Sequence, residues 1–210
     1  MELLQKPVEP IPASFADAYR RFQPYPHDAA PEELFITALN YCSAPTLRYI
    51  SMQDERQTNM FCDACLNNSQ VYARGGCAVM LSPPDSENPE PDAITEVPLK
   101  IDGARHTNNR AELYSVTVGL RLRYWRSEGF ERIVLAMNSE YVVLGISERI
   151  NKWISRGWRT AAGTPVANRD LWEELLEKLR EMEKGGMHVQ FWLIPKEWDY
   201  SAIMLSWRHQ

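Results

Sequence analysis

The chain has 210 residues, of which 44% are hydrophobic, and it carries a formal net charge of −5. This length and hydrophobic content suit one folded domain with an extension. The acidic balance argues against a protein that binds polyanions through bulk positive charge, although a local basic groove remains compatible with it. No segment has the length and apolarity of a membrane span or a secretory signal, so we expect an intracellular protein without a membrane partner.

Residues 1–56 are divided into short pieces by seven prolines. Helices are predicted at 14–22 and 31–41, the second with a proline in its first turn. Aromatic and aliphatic side chains in this segment indicate that it packs on the rest of the chain. We therefore predict an N-terminal helical extension at 1–56 and a main domain at 57–210.

The main domain is predicted to alternate between strands and helices. Strands are predicted at 59–65, 71–82, 94–101, 132–137 and 187–194, and helices at 107–127, 139–146, 148–155, 171–184 and 198–207. Residues 83–92 are rich in proline and polar residues and predict a loop. The order of elements is typical of an α/β fold with a mixed five-stranded sheet flanked by helices.

The four cysteines, at 42, 62, 65 and 77, are too few and too clustered for a secreted disulfide framework. Cys62 and Cys65 have CxxC spacing, but the later candidates for zinc ligands are scattered along the chain. The pair also leads into a turn, whereas a redox motif opens a helix. We interpret these cysteines as buried strand and turn residues and keep the zinc and redox interpretations as alternatives.

A helix start is predicted within the stretch RHTNNRAEL, residues 105–113. Short polar side chains at 107–109 can cap the free N–H groups of the first turn. Glu112 falls in that first turn on a helix with a broad apolar face. A carboxylate is unexpected there unless it is solvated, paired or bound to a metal, although it can also compensate the helix dipole.

The sequence TNNRAEL resembles the helix-start motif of the type 1 ribonuclease H family. The similarity extends over roughly residues 59–206 through DACLNN at 63–68, NSEYVV at 138–143, Trp153, GWRTAAG at 157–163 and Asn168. It implies the ribonuclease H-like fold and cleavage of the RNA strand of RNA–DNA hybrids. In that family, four clustered carboxylates hold two Mg²⁺ ions that act on the attacking and leaving oxygens.

Only two of the four implied catalytic carboxylates are present. Asp63 and Glu112 match the first and second positions, although the glycine that follows the first aspartate in the family is missing after Asp63. An ungapped alignment would instead place Cys62 at the first position. Asn138 and Ile203 stand where the third and fourth aspartates are expected. If the chain binds Mg²⁺ at all, we expect weak binding through Asp63 and Glu112.

Three nearby acids are candidates to replace the missing carboxylates: Glu140, Glu197 and Asp199. Glu140 is predicted to face solvent from the first turn of a helix. Asp199 lies one helical turn before Ile203, on the same face of the predicted last helix, so it is the better candidate.

The positions that contact nucleic acid in the family are better preserved. The resemblance implies a DNA-phosphate pocket, contacts to the minor groove and an aromatic residue in the DNA-strand channel. The matching residues here are Arg105, Thr107 and Asn168 for the pocket, Asn68, Asn108 and Asn109 for the groove, and Trp153 for the channel. Each also has a purely structural interpretation as a helix cap, a surface charge or a core residue.

These features predict a catalytically impaired ribonuclease H-like protein, a pseudoenzyme, that binds RNA–DNA hybrid or other nucleic acid. The first alternative is an active Mg²⁺-dependent hybrid endoribonuclease with rearranged ligands. The second is a protein-interaction module, because the predicted last helix carries apolar residues on more than one face. Residues 1–56, a protein partner or a second copy of the chain would cover that helix.

Overall fold

The computed structural model describes residues 20–42, 45–67, 74–82, 93–96 and 107–199. Its strands are β1 (Phe35–Asn40), β2 (Thr46–Ser51), β3 (Gln57–Asn67), β4 (Arg74–Met80), β5 (Ala93–Glu96), β6 (Arg132–Met137) and β7 (His188–Leu193). Its α-helices are α1 (Pro31–Leu34), α2 (Asn108–Arg121), α3 (Glu140–Leu144), α4 (Ile150–Ser155) and α5 (Arg169–Lys184). Short 3-10 helices lie at Trp125–Glu128 and Lys196–Trp198, and a π-helical turn at Gly145–Arg149 joins α3 to α4.

The long strand β3 organises the sheet. On one side it runs parallel to β6, which in turn runs parallel to β7. On the other side its second half pairs antiparallel with β4, and β4 pairs with β5. Its first half pairs antiparallel with β2, which carries β1 on its far side. The five predicted strands correspond to β3–β7, so the predicted α/β fold with a mixed sheet and flanking helices is confirmed, and the hairpin β1–β2 extends the sheet to seven strands.

The predicted helix at 31–41 is wrong beyond its first turn. Only Pro31–Leu34 is helical, and the next six residues form β1, which pairs along its whole length with β2. Two adjacent β-branched residues, Ile36 and Thr37, favour a strand at this point. Tertiary pairing with β2 therefore outweighs the local helix signal.

The predicted helix at 14–22 falls largely outside the described residues. Its last part is extended, because Phe22 donates its backbone N–H to the carbonyl of Phe191 at 2.9 Å and so borders the free edge of β7. The Phe22 ring lies 5.2 Å from that of Trp192 and 6.2 Å from that of Phe35. The described part of the N-terminal segment thus contributes strands and edge contacts, with a single four-residue helix.

A buried polar group fixes the hairpin β1–β2 to the rest of the fold. Arg48 of β2 donates to both carboxylate oxygens of Glu128, with Nε–Oε2 at 2.9 Å and Nη2–Oε1 at 3.1 Å. Asn40 of β1 donates Nδ2 to the backbone carbonyl of Glu128 at 2.8 Å. Because all three side chains are buried, this contact holds the hairpin in one position against the 3-10 helix that follows α2.

Each face of the sheet carries its own apolar cluster. Met60, Leu113, Leu135 and Trp172 belong to the larger cluster, in which α2 and α5 cover one face. Phe35, Phe61 and Trp192 belong to the smaller cluster on the opposite face. No helix among the described residues is long and apolar enough to cross a membrane. Cys62 and Cys77 are buried, as expected of core cysteines, whereas Cys42 is exposed.

Candidate active site and nucleic-acid interface

The predicted catalytic positions that the structure describes lie near the middle of β3, just after the C-terminal end of β6 and in the first turn of α2. Phe61 pairs with Ala136 in the parallel register of these strands, and continuing that register by two residues brings Asp63 beside Asn138 on the same face. Cys62 points to the other face, toward Gly119 of α2. The geometry therefore favours Asp63 over Cys62 as the residue of the site.

Glu112 reaches the site from the first turn of α2. That helix begins where predicted, because the Thr107 side chain accepts a hydrogen bond from the backbone N–H of Arg110 at 3.2 Å. The Glu112 Oε2 atom accepts a hydrogen bond from Ser139 Oγ at 2.6 Å. Ser139 Oγ also accepts from the backbone N–H of Val142 and so caps α3. One carboxylate oxygen of Glu112 is therefore engaged by the neighbouring helix start.

Asp199 is the acid that the structure turns inward. Its side chain is fully buried after the 3-10 helix at Lys196–Trp198, and its Oδ2 accepts a hydrogen bond from Asn138 Nδ2 at 3.2 Å. Glu140 and Glu197, the other two candidates for a replacement ligand, are exposed. Asp199 thus lies beside Asn138, although the family motif does not assign it to the site.

Asp63 has a strongly perturbed pKa. Burial raises the pKa of its carboxyl to about 7, and the negative charges of Asp199 and, to a smaller extent, Glu112 add to the increase. The backbone N–H of Ala64 and the charge of Lys196 lower the pKa by smaller amounts. In the metal-free site, the raised pKa of Asp63 thus reflects burial and the close approach of the Asp199 and Glu112 carboxylates.

The described residues do not fit a pair of Mg²⁺ ions. No group of three or more His, Cys, Asp or Glu side chains that could hold a metal ion occurs among them. Burial also raises the pKa of the Cys62 thiol well above its ordinary value, so this neighbour is a neutral thiol rather than a soft anionic ligand. The predicted fourth position, Ile203, lies outside the described residues, as do the nucleic-acid positions Asn68 and Arg105.

The described residues of the predicted phosphate pocket lie at two adjoining helix starts. Arg110 in the first turn of α2 is buried and forms two hydrogen-bonded contacts with Asp170 of α5, Nη1–Oδ1 at 3.0 Å and Nη2–Oδ2 at 2.7 Å. This ion pair brings together Thr107 and Asn168, the residues that immediately precede α2 and α5. The first turns of α2 and α5 are thus joined by this ion pair, in which Asp170 supplies a negative charge at the start of α5.

Asn168 departs from the predicted role of a helix cap. Its backbone is left-handed, with φ 55°, and its side chain makes no capping hydrogen bond to α5. The amide Nδ2 instead donates to the Tyr141 hydroxyl at 3.2 Å. That interaction was not predicted, because sequence spacing gives no sign that Tyr141 and Asn168 meet.

The remaining interface residues combine exposed polar groups with packed aromatics. Asn108 and Asn109 are exposed at the start of α2. The Trp153 ring packs edge-to-face on Trp172 with centroids 5.4 Å apart, so Trp153 is partly a core residue. Three exposed cations surround it: Lys152, Arg156 and Arg159. The surface next to α4 is therefore locally basic although the whole chain is acidic.

Stability should depend on pH through Asp63. Because its pKa is higher in the folded than in the unfolded chain, the folded state holds a proton that the unfolded state loses from about pH 4 upward. The free energy of unfolding is expected to fall between about pH 4 and pH 7, by at most about 1.4 kcal/mol per pH unit, and then to level off. Urea unfolding of Asp63→Asn across this range should lack this slope. An equal slope in both proteins would contradict the assignment to Asp63.

Comparison with known proteins agrees with this geometry. The RNase H family profile matches residues 55–191. A ribonuclease H of Cyanothece sp. is 34% identical over 131 residues, which cover 58% of this chain and 76% of that protein. A ribonuclease H of Thermosynechococcus vestitus is 38% identical over 114 residues, covering 50% of this chain and 66% of that protein.

Two solved structures show lower similarity. LC9-RNase H1, described as a type 1 RNase H with the type 2 active-site motif, is 22% identical with a TM-score of 0.44, over 67% of this chain and 64% of that chain. LC11-RNase H1 in complex with an RNA/DNA hybrid is 15% identical with a TM-score of 0.43, over 67% of this chain and 87% of that chain. The family match to most of the main domain decides the assignment: this chain belongs to the ribonuclease H family.

Proposed function

We propose that this chain binds RNA–DNA hybrids and cleaves them poorly or not at all. The hydrogen bond from the Asn138 amide to the buried carboxylate of Asp199 carries the proposal. Asn138 stands where the family resemblance implies a negatively charged metal ligand, and its neutral amide donates this hydrogen bond. This hydrogen bond engages one carboxylate oxygen of Asp199.

The impairment follows from what Mg²⁺ requires. This hard cation takes charged oxygen ligands in near-octahedral geometry, and two such ions are needed to assist both oxygens of the displacement. Asn138 has lost the charge. Glu112 has one oxygen engaged by Ser139. Ile203 offers no ligand atom at the fourth position. The remaining ligands are too few to hold two ions.

Hybrid binding is supported by the groups that adjoin the site. The starts of α2 and α5 converge, and the Thr107 hydroxyl and the Asn168 amide lie beside them. The family places a DNA phosphate at the corresponding position, with Arg105 as the charged donor. The exposed cations around Trp153 extend this surface. Most affinity for a nucleic acid comes from such phosphate contacts.

One titration tests both halves of the proposal. A labelled RNA–DNA hybrid is incubated with the full chain and Mg²⁺, with anisotropy as the binding readout and a denaturing gel as the cleavage readout. We expect salt-dependent binding without cut RNA, and weaker binding by Arg105→Ala. Arg180→Ala is the matched control, because Arg180 is exposed near the other end of α5. Unchanged binding by Arg105→Ala, or no binding by the parent chain, would refute the binding half.

The active-enzyme alternative rests on one observation, the buried Asp199. If it replaces the third carboxylate, cut RNA will appear in the same assay and will require Mg²⁺. The activity must then be lost in both Glu112→Gln and Asp199→Asn, which excludes a contaminating nuclease. Activity that survives in both variants would leave this alternative without support.

A further inference from the structure

We infer that the Tyr141 hydroxyl is a positioning group that turns the Asn168 amide so that an N–H faces a backbone phosphate of the bound nucleic acid. The inference rests on the proposed function and adds a residue that the family motif does not assign to binding. Tyr141 lies in α3, whereas Asn168 immediately precedes α5, so the two belong to separate elements.

The Tyr141 hydroxyl is the centre of a small hydrogen-bond network. It donates to the backbone carbonyl of Ala167 at 3.0 Å and accepts from Trp172 Nε1 at 3.0 Å and from Asn168 Nδ2 at 3.2 Å. A hydroxyl has one donor and two acceptor sites, so these three partners use its full capacity. The Tyr141 ring also packs on Trp172, with centroids 5.4 Å apart. The hydroxyl is therefore fixed in place and can impose an orientation on its partners.

The backbone of Asn168 indicates that its side chain has a task other than capping. Asparagine before a helix ordinarily adopts an extended backbone and accepts a hydrogen bond from the first turn. Here the residue is left-handed, a conformation that asparagine adopts more readily than most residues with a Cβ. The side chain donates to Tyr141 instead of capping α5. The hydrogen bond to Tyr141 therefore takes the place of a capping hydrogen bond and fixes the direction of the amide.

Orientation decides whether the amide attracts or repels a phosphate. The Asn168 Nδ2 atom carries two hydrogens, of which Tyr141 takes one, while Oδ1 makes no hydrogen bond within the described part of the chain. Asn168 exposes only 5% of its surface, so the amide has little freedom to turn. Without the hydroxyl, a flipped amide would present its oxygen, an acceptor, to an anionic oxygen. Tyr141 thus selects the amide orientation that can donate.

The test compares hybrid affinities of four proteins: the parent, Tyr141→Phe, Asn168→Ala and the double variant. We expect each single change to weaken binding about 3- to 10-fold, as for the loss of one neutral hydrogen bond. The double variant should be no weaker than Asn168→Ala, because Tyr141 acts through Asn168. The dependence of affinity on salt should stay as in the parent, since no cation is removed, whereas Arg105→Ala should reduce it.

If the double variant loses affinity by the product of the two single losses, the inference is overturned. A purely structural role of Tyr141 would weaken binding whether residue 168 is asparagine or alanine. Tyr124→Phe is the matched control, since that ring is exposed. Asn168→Asp provides a second variant that keeps the shape of the side chain but has no N–H to donate to Tyr141 or to a phosphate. Parent-like binding by Asn168→Asp would also overturn the inference. If Arg105→Ala and Asn168→Ala both bind like the parent, the proposed pocket itself is wrong; if only Tyr141→Phe does, the pocket stands and the inference fails.

Discussion

Replacing Glu128 with alanine is expected to lower the free energy of unfolding by about 3–5 kcal/mol, which is the typical cost of removing one partner from a buried ion pair. Arg48 exposes 2% of its surface and donates hydrogen bonds to both carboxylate oxygens of Glu128. After the change its guanidinium keeps the Leu47 carbonyl but has lost its counter-charge. Urea unfolding monitored by tryptophan fluorescence measures the effect.

The matched control is Glu173→Ala, which breaks an exposed pair with Arg169 one helical turn away. That change should cost less than about 1 kcal/mol, because exposed pairs contribute little. Replacing Arg48 and Glu128 together with apolar residues should restore much of the lost stability, since no buried charge is then left unpaired. A loss below about 1 kcal/mol in Glu128→Ala would show that the hairpin β1–β2 is held by its strand pairing alone.

The second large effect is expected at the site itself. Asn138→Asp removes the donor to the buried Asp199 and adds a negative charge beside it and Asp63. We expect a loss of about 3 kcal/mol at mildly alkaline pH, shrinking as the pH falls and the cluster takes up protons. Mg²⁺ should raise the melting temperature of this variant more than that of the parent, because the third carboxylate is restored.

Asn138→Ala separates the two causes. It removes the same hydrogen bond but adds no charge, so its loss of stability should vary little with pH and should not respond to Mg²⁺. Thermal melts at two pH values, with and without Mg²⁺, give all the comparisons. If the aspartate variant is as stable as the parent at both pH values, Asp199 does not depend on Asn138 for its burial.

The start of α2 could be predicted because its determinants are local. Thr107, Asn108 and Asn109 precede an apolar run, and capping depends only on residues within one turn. Glu112 could be placed in the first turn of α2 for the same reason, whereas its assignment to the site came from the family resemblance. The strand β1 could not be predicted from its own six residues, because they show no clear hydrophobic period. Its structure depends on pairing with β2 and on the hydrogen bond from Asn40 to Glu128, which lies 88 residues later. Local pattern carries no information about such partners.

The site shows the same division between local and distant determinants. The motif located Asn138 from its neighbours in sequence, but its partner Asp199 lies 61 residues away and follows a 3-10 turn. Asp199 was the best of three replacement candidates on helical spacing alone. Its complete burial could not be predicted, because that depends on how β7 and the turn after it pack. Tyr141 gave no signal, since a tyrosine in a short helix is ordinarily a packing residue.

The contact of residues 20–22 with β7 has a consequence for how the chain folds as it is synthesised. Phe22 is made 169 residues before its hydrogen-bond acceptor, Phe191. At roughly 5–20 residues per second, this interval lasts about ten seconds or more. During that time Phe22 and the exposed aromatics near it have no β7 to pack on. The segment at residues 20–22 therefore stays open to chaperones on the ribosome until β7 has emerged.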